Sequence, residues 1–345
     1  MEREAPQPYV ATWGTDDTAH RPFAVSNPLL ADPAALRHRF QQDGYVFFRG
    51  LLDAGPLRAL RTDILTVCAR HGWLQPGHDA SEGRAHSVPR VEGQEEYAAL
   101  NDDIQRLERF HGFAHQPALL NVMRHLLGAP LLVHPLSVSR LMFPSNAPHT
   151  TPPHQDYPNN QGSPETYAAW IPLGDCPRTL GSLSVLQGSH RFGALPMRHA
   201  MGAGYRTVRQ TAELEALPWI SDDMGQGDVL IFHSLTVHRA LPNRSADHMR
   251  VSVDYRYQNA RHPVTENSLQ PHFGRLTWDQ IYAGWQSREH QYYWRALDLT
   301  VVPYEPPGLP VSPADALPET APRFVDRLRR GLVDRLARLR PRDAR

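Results

Sequence analysis

The spacing of apolar positions divides the chain into three stretches. Up to about residue 129 they recur at helical intervals. Leu57, Leu60, Ile64, Leu65 and Cys68 form one stripe, and Leu100, Ile104, Leu107 and Phe110 another. Asp32-Pro33 ahead of Ala34–Phe40 reads as a capped start, with a carboxylate to accept the free N–H groups and proline at the first helical position. Gly44 stops that helix, and Tyr45-Val46-Phe47-Phe48 then reads as a strand. Gly55-Pro56 opens a second helix ending at Gly72. Residues 94–110 and 116–127 read as two more, and 74–93 as a surface loop.

From Pro130 the period changes. Short apolar runs at 131–134, 138–143, 167–173, 183–186, 228–232 and 251–257 are separated by proline, glycine and serine. Such a series predicts a sandwich or barrel, closed as a double-sheet jelly roll of the cupin kind, a double-stranded β-helix. Past residue 260 a helix is predicted from Thr277 through Trp285, Tyr292, Tyr293 and Trp294, packed on the barrel. Another, amphipathic and arginine-rich, is predicted within 313–345. Residues 1–30 read as an arm anchored by Trp13 and Phe23. The expectation is one mainly-β domain with flanking helices over 1–345. Its parts are an arm and bracing helices (1–129), a jelly-roll core (130–260) and a C-terminal helical segment with a basic tail (261–345).

Charge and cysteine content narrow the partners. The 36 basic residues balance 36 acidic ones, so nothing attracts a nucleic acid or other polyanion. No apolar run is long enough to span a membrane or serve as a signal peptide, and a cytoplasmic location follows as the expectation. Cys68 and Cys176 cannot build a disulfide framework and read as buried thiols. Every basic residue other than histidine is arginine, so a carboxylate ligand must be held by arginine or histidine.

The chemistry concentrates at Thr151-Pro-Pro-His-Gln-Asp156. His154 and Asp156 stand two apart, and on an extended strand such residues share a face. Residues 227–238 add His233 and His238. Two histidines and a carboxylate with open positions describe the facial triad of non-haem Fe(II) oxygenases. Spacing alone does not separate His233 from His238. Arg250-Val251-Ser252 places a guanidinium and a hydroxyl on one strand face, suited to a carboxylate, and Arg256 is the second candidate for that role.

In order, His-Gln-Asp at 154–156, Gly-Ser-Leu-Ser-Val-Leu-Gln-Gly-Ser-His-Arg at 181–191, Gly-Asp-Val-Leu-Ile-Phe-His at 227–233, His238, and Arg250 with Ser252 resemble the phytanoyl-CoA dioxygenase-like family of Fe(II)/2-oxoglutarate-dependent oxygenases. The resemblance covers roughly 130–260 and, more weakly, Asp43–Val46. It implies iron ligands His154, Asp156 and His238, because the family uses the second histidine of that block. It implies 2-oxoglutarate and O2 as cosubstrates, with Arg250 and Ser252 on the distal carboxylate and weaker positions at Trp170 and Thr179. His190 then belongs to a structural turn, and Asn243 shapes the turn after His238. A carboxylate at 156 favours hydroxylation over halogenation.

The resulting expectation is a dioxygenase that oxidises, most simply hydroxylates, an unactivated C–H bond of a small organic molecule, in bacterial secondary metabolism, as a monomer or homodimer. The alternatives are a hydroxylase of acyl-CoA or carrier-tethered thioesters, which calls for a basic patch beside the site, and a non-catalytic metal-binding jelly roll. Substrate specificity is expected in 74–93, 157–166 and 261–300.

Overall fold

In the computed structural model, Trp13 and residues 20–86, 90–144 and 149–306 are described. Asp32 caps helix α1 (Pro33–Asp43): its Oδ1 accepts from the N–H groups of Ala34 and Ala35, both at 3.0 Å. Gly44 ends α1 with φ 76°, and a Cβ there would lie 2.7 Å from Thr236 Oγ1. Glycine therefore serves both the helix stop and the close approach of β1 (Tyr45–Phe48) to the 233–238 turn.

Helix α2 (Ala54–Arg70) follows, then α3 (Glu95–Gln105), α4 (Glu108–Gly112) and α5 (Pro117–Leu127). The single helix predicted over 94–110 is thus two. Leu107 turns extended, ψ 112°, and restarts the helix in a new direction. The apolar stripe survives, with Leu100, Ile104 and Phe110 fully buried.

Nine strands build the core, all but the first after residue 130: β1, β2 (Leu131–Val133), β3 (Val138–Met142), β4 (Thr166–Pro172), β5 (Leu183–Leu186), and further β8 (Trp219–Ile220), β9 (Val229–His233), β10 (His238–Ala240) and β11 (Arg250–Asn259), with the β6 (Met197–His199) and β7 (Arg206–Val208) hairpin beside them. A six-stranded antiparallel sheet runs β1-β9-β4-β11-β2, with β3 also pairing β11. A three-stranded sheet, β10-β5-β8, makes the opposing layer. The predicted jelly-roll core is therefore present.

Alternation along the strands decides what each layer touches. Val46, Phe48, Ala169, Ile171, Val229, Ile231, Val251 and Val253 pack outward against Leu57, Leu60, Ile64 and Leu119 of the helices. Tyr45, Phe47, Ala168, Trp170, Leu230 and Phe232 pack inward against Leu183, Val185 and Ile220 of the small sheet. Tyr255 and Tyr257 donate their hydroxyls to the carbonyls of Phe110 and Ala114, both at 2.7 Å, and so fasten the helices to β11.

Three flanking expectations meet different outcomes. Phe23 stacks on Phe47 at 4.8 Å and Trp13 sits edge-on to Trp219 at 5.2 Å, so both anchors hold. The aromatic helix from Thr277 stops early: α8 is only Trp278–Tyr282, and Tyr292 has a left-handed φ of 53° that no continuing helix allows. Its aromatics are ordered by packing, Trp278, Tyr282 and Trp294 being buried with Leu132 and Val264. The helix expected in 313–345 lies outside the described residues. Among those described, no helix is long and apolar enough to cross a membrane.

Candidate metal centre

Residues distant in sequence meet through one backbone bridge. His154 N–H donates to His238 O and His238 N–H to His154 O, both at 2.9 Å. Asp156 does not continue that extended run, as the two-residue spacing suggested. It adopts φ −75° and ψ −29° and opens the short helix α6 (Tyr157–Asn160), its carbonyl accepting from Asn160. Gln155 lies between them, fully buried. It donates to the carbonyls of Gly193 and Leu235 and accepts from Leu195 N–H. The segment is locked from behind by the residue that is not a candidate ligand.

His154, Asp156 and His238 are all buried, and one ligand atom from each lies within 4.8 Å of the others. His154 Nδ1 donates to Pro152 O at 2.8 Å and His238 Nδ1 to Thr236 O at 3.0 Å. A carbonyl can only accept, so each Nδ1 carries the proton and each Nε2 keeps a free lone pair. Those Nε2 atoms face Asp156 Oδ1 at 3.7 and 3.8 Å, beyond hydrogen bonding. A metal about 2 Å from each donor needs donor spacings of roughly 3–3.5 Å, so the set fits one divalent ion with little movement.

The electrostatics agree with that protonation. Burial and the neighbouring His238 push His154 down to about 3, and burial likewise lowers His238, so both rings are neutral. Burial alone would raise the Asp156 carboxyl. The Arg256 guanidinium, the two histidines and Arg140 together outweigh it and hold the group ionised. Arg256 Nη2 and Nε both donate to Asp156 Oδ2, at 3.0 and 3.2 Å, leaving Oδ1 to the histidines. Arg256 is therefore committed to Asp156, which removes it as the alternative arginine for a cosubstrate carboxylate.

Arg250 stands on the same face of β11 with no such partner. It is 4 % exposed, its Nε has no hydrogen bond, and it makes no ion pair with a described residue. Its guanidinium lies 5.5 Å from the centre of the Trp170 ring. Ser252 Oγ beside it is also buried and unbonded. A buried cation without an anion costs several kcal/mol, so a carboxylate fits here. Trp170 thus belongs with Arg250. Thr179 does not: it is exposed on the Arg178–Leu180 turn, whose backbone meets Arg244 instead of the barrel interior.

The remaining histidines separate cleanly. His233 Nδ1 accepts from Leu235 N–H at 3.1 Å while its Nε2 faces Glu165 Oε1 at 3.4 Å, away from the three-residue group. His190 donates to Gln41 O, as a turn residue should. Asn243 holds the loop after β10 through Met142 O, His248 O and Ser245 N–H.

Three participants escaped the sequence reading. Besides the Arg256–Asp156 pair, Arg140 on β3 joins Asp254 and Glu92, each at 3.0 Å. The His272 ring has a buried, unbonded Nδ1. Burial, with Arg140 and Arg256 in electrostatic reach, pushes it down to about 3. Phe273 next to it has φ 64°, a strained value for a side chain of that size. A signal for part of this did exist: Arg250, Ser252, Asp254, Arg256 and Gln258 occupy every second position of β11, which marks a polar interior wall.

The Phytanoyl-CoA dioxygenase (PhyH) family model matches residues 40–252. The 1-deoxypentalenic acid 11-beta-hydroxylase of Streptomyces arenae is 30% identical over 266 residues, covering 72% of this chain and 89% of that protein. Its namesake from Streptomyces exfoliatus is 30% identical over 263 residues, with the same two shares. Among solved structures, the epimerase SnoN in complex with Fe3+, alpha ketoglutarate and nogalamycin RO is 25% identical. It covers 68% of this chain and 88% of that one, with a TM-score of 0.49.

Proposed function

The chain belongs to the phytanoyl-CoA dioxygenase family, and on that premise we propose that it is a non-haem iron, 2-oxoglutarate-dependent oxygenase that hydroxylates a C–H bond of a small organic molecule of secondary metabolism. The observation that carries the reading is the coexistence of two features in one barrel. Three neutral-or-anionic donors converge at one point, and an unpartnered guanidinium stands on β11, the strand whose Arg256 holds Asp156. The hydroxylase relatives support hydroxylation as the outcome.

In this reading His154 Nε2, His238 Nε2 and Asp156 Oδ1 hold iron(II), and Arg250 with Ser252 holds the distal carboxylate of 2-oxoglutarate. Iron and 2-oxoglutarate together supply the activation of O2 and the removal of hydrogen from substrate. The Pro152 and Thr236 carbonyls fix the imidazole tautomers, and Arg256 fixes the carboxylate. Trp170, Leu230 and Phe232 wall the interior with apolar surface and exclude water from the reacting groups. His272, with a buried, unbonded Nδ1 in electrostatic reach of Arg256, is the candidate for a substrate contact in the 261–300 segment.

Anaerobic titration with Fe(II) and 2-oxoglutarate tests the assignment through the visible metal-to-ligand charge-transfer absorption. Appearance of the band supports both sites, and O2-dependent succinate release completes the test. Metal binding without the band removes the 2-oxoglutarate reading and leaves a metal-binding jelly roll.

A further inference from the structure

We propose that the arginine-lined cavity between α2 and the start of β11 is a route for dicarboxylates, by which 2-oxoglutarate reaches Arg250 and succinate leaves. This rests on the role given to Arg250 above. The cavity holds about 400 Å3, within the roughly 300–1,000 Å3 of small-molecule sites. Three guanidiniums line it in order of depth: Arg58 is exposed, Arg61 half-buried and Arg250 buried. Arg58 and Arg61 are three apart on α2 and so share a helix face.

The charge in this cavity is only partly answered from within: three guanidiniums face one carboxylate. That carboxylate, Asp175, is exposed, accepts the Gln226 N–H at 3.0 Å and reaches Arg61 only through space. Arg61, like Arg250, makes no hydrogen bond or ion pair with a described residue. Burial lowers the pKa of both, more than the nearby Asp175 raises that of Arg61 or Asp254 that of Arg250, as expected of guanidiniums deprived of water and of a paired counter-ion. The backbone makes room for Arg61. A Cβ at Gly83 would lie 2.8 Å from its Nη2, and one at Gly174 would lie 3.5 Å from its Nη1.

Arg250 also borders a second, small cavity with Thr151, three residues before His154, and so links the cationic cavity to the metal side of the barrel. A graded line of like charges concentrates an oppositely charged ligand and speeds its entry. An uncharged apolar substrate gains nothing from such walls. A dianion gains at every step, and both the cosubstrate and its product are dianions.

The test is anaerobic stopped-flow mixing of the Fe(II)-loaded protein with 2-oxoglutarate, read by the charge-transfer band. Arg61→Gln should slow association about tenfold and flatten its dependence on ionic strength, while the final amplitude at saturation matches wild type. Gly174→Leu, which narrows the cavity without altering charge, should also slow association. Wild-type rates and salt dependence in both variants overturn the route. So does a wild-type protein slowed by inorganic phosphate while both variants keep its 2-oxoglutarate rate, since the cavity is then a site for small inorganic anions only. If wild type itself gives no band, the assignment of Arg250 fails first, and the two failures are thereby told apart.

Discussion

Arg256 and Arg250 stand on one face of one strand, 6 % and 4 % exposed, and live in opposite circumstances. Arg256 donates twice to Asp156, so its charge is answered within the fold. Arg250 has a tryptophan ring and no paired anion, Asp254 being bonded to Arg140 instead. The first arrangement fixes a candidate ligand in place whether or not metal is bound. The second leaves a charge unanswered until something enters. A buried ion pair and a buried lone ion differ by several kcal/mol, so the protein spends stability at one end of β11 and recovers specificity there.

The largest effect should come from the donor group that Arg256 steadies through Asp156. His238→Ala is expected to abolish Fe(II) binding and His233→Ala to keep most of it, as read by anaerobic metal titration. Metal retention by the His238 variant would reverse the assignment. Next, Arg256→Met strands the Asp156 carboxylate. The apoprotein should lose about 3–5 kcal/mol by denaturant unfolding, and a loss under 1 kcal/mol would mean the pair does little.

Arg250→Met should have the opposite sign in the apoprotein, a gain on the order of 1 kcal/mol, because an unpaired charge is removed. The same variant should need more 2-oxoglutarate while binding iron normally. Unchanged cosubstrate affinity would end the contrast between the two arginines.

The smallest effect concerns Gln258, the last polar residue on that face, whose Oε1 accepts from the buried His134 at 2.9 Å. Burial pushes His134 down to about 4 from an unfolded value of 6.5. The unfolded chain therefore takes up the proton first. The stability this group contributes is complete above pH 6.5 and is lost as pH falls toward 4, by roughly 1 kcal/mol per pH unit. His134→Gln should make the acid limb of a stability-versus-pH curve shallower, and an unchanged limb would count against it.

Much of this was legible in the residues. The core strands announce themselves as short apolar runs, and the capped start at Asp32-Pro33 is local chemistry. The trio His154, Asp156 and His238 was legible as an ordered pattern. What separates His238 from His233, however, is a backbone bridge between remote segments. The partner of Arg256 depends on which inward position faces Asp156 across the barrel, a fact of closure and not of spacing. The aromatic segment after Thr277 misled because its tryptophans and tyrosines are held by tertiary packing, which helical periodicity mimics. The cationic cavity draws on α2, the loop near Ser81, Gly174–Cys176 and β11, and no single stretch carries its signal.

The bridge from His154 to His238 has a consequence for how the protein matures. The donors become neighbours only after β10 has found the segment before α6, a contact of long sequence separation that forms slowly against loop-closure entropy. A partly folded chain therefore offers single imidazoles but no complete site. Metal that binds the finished trio withdraws that state from the unfolding equilibrium and raises apparent stability with metal concentration. Loading is thus a proofreading step on assembly, and apoprotein should be the form most exposed to proteolysis.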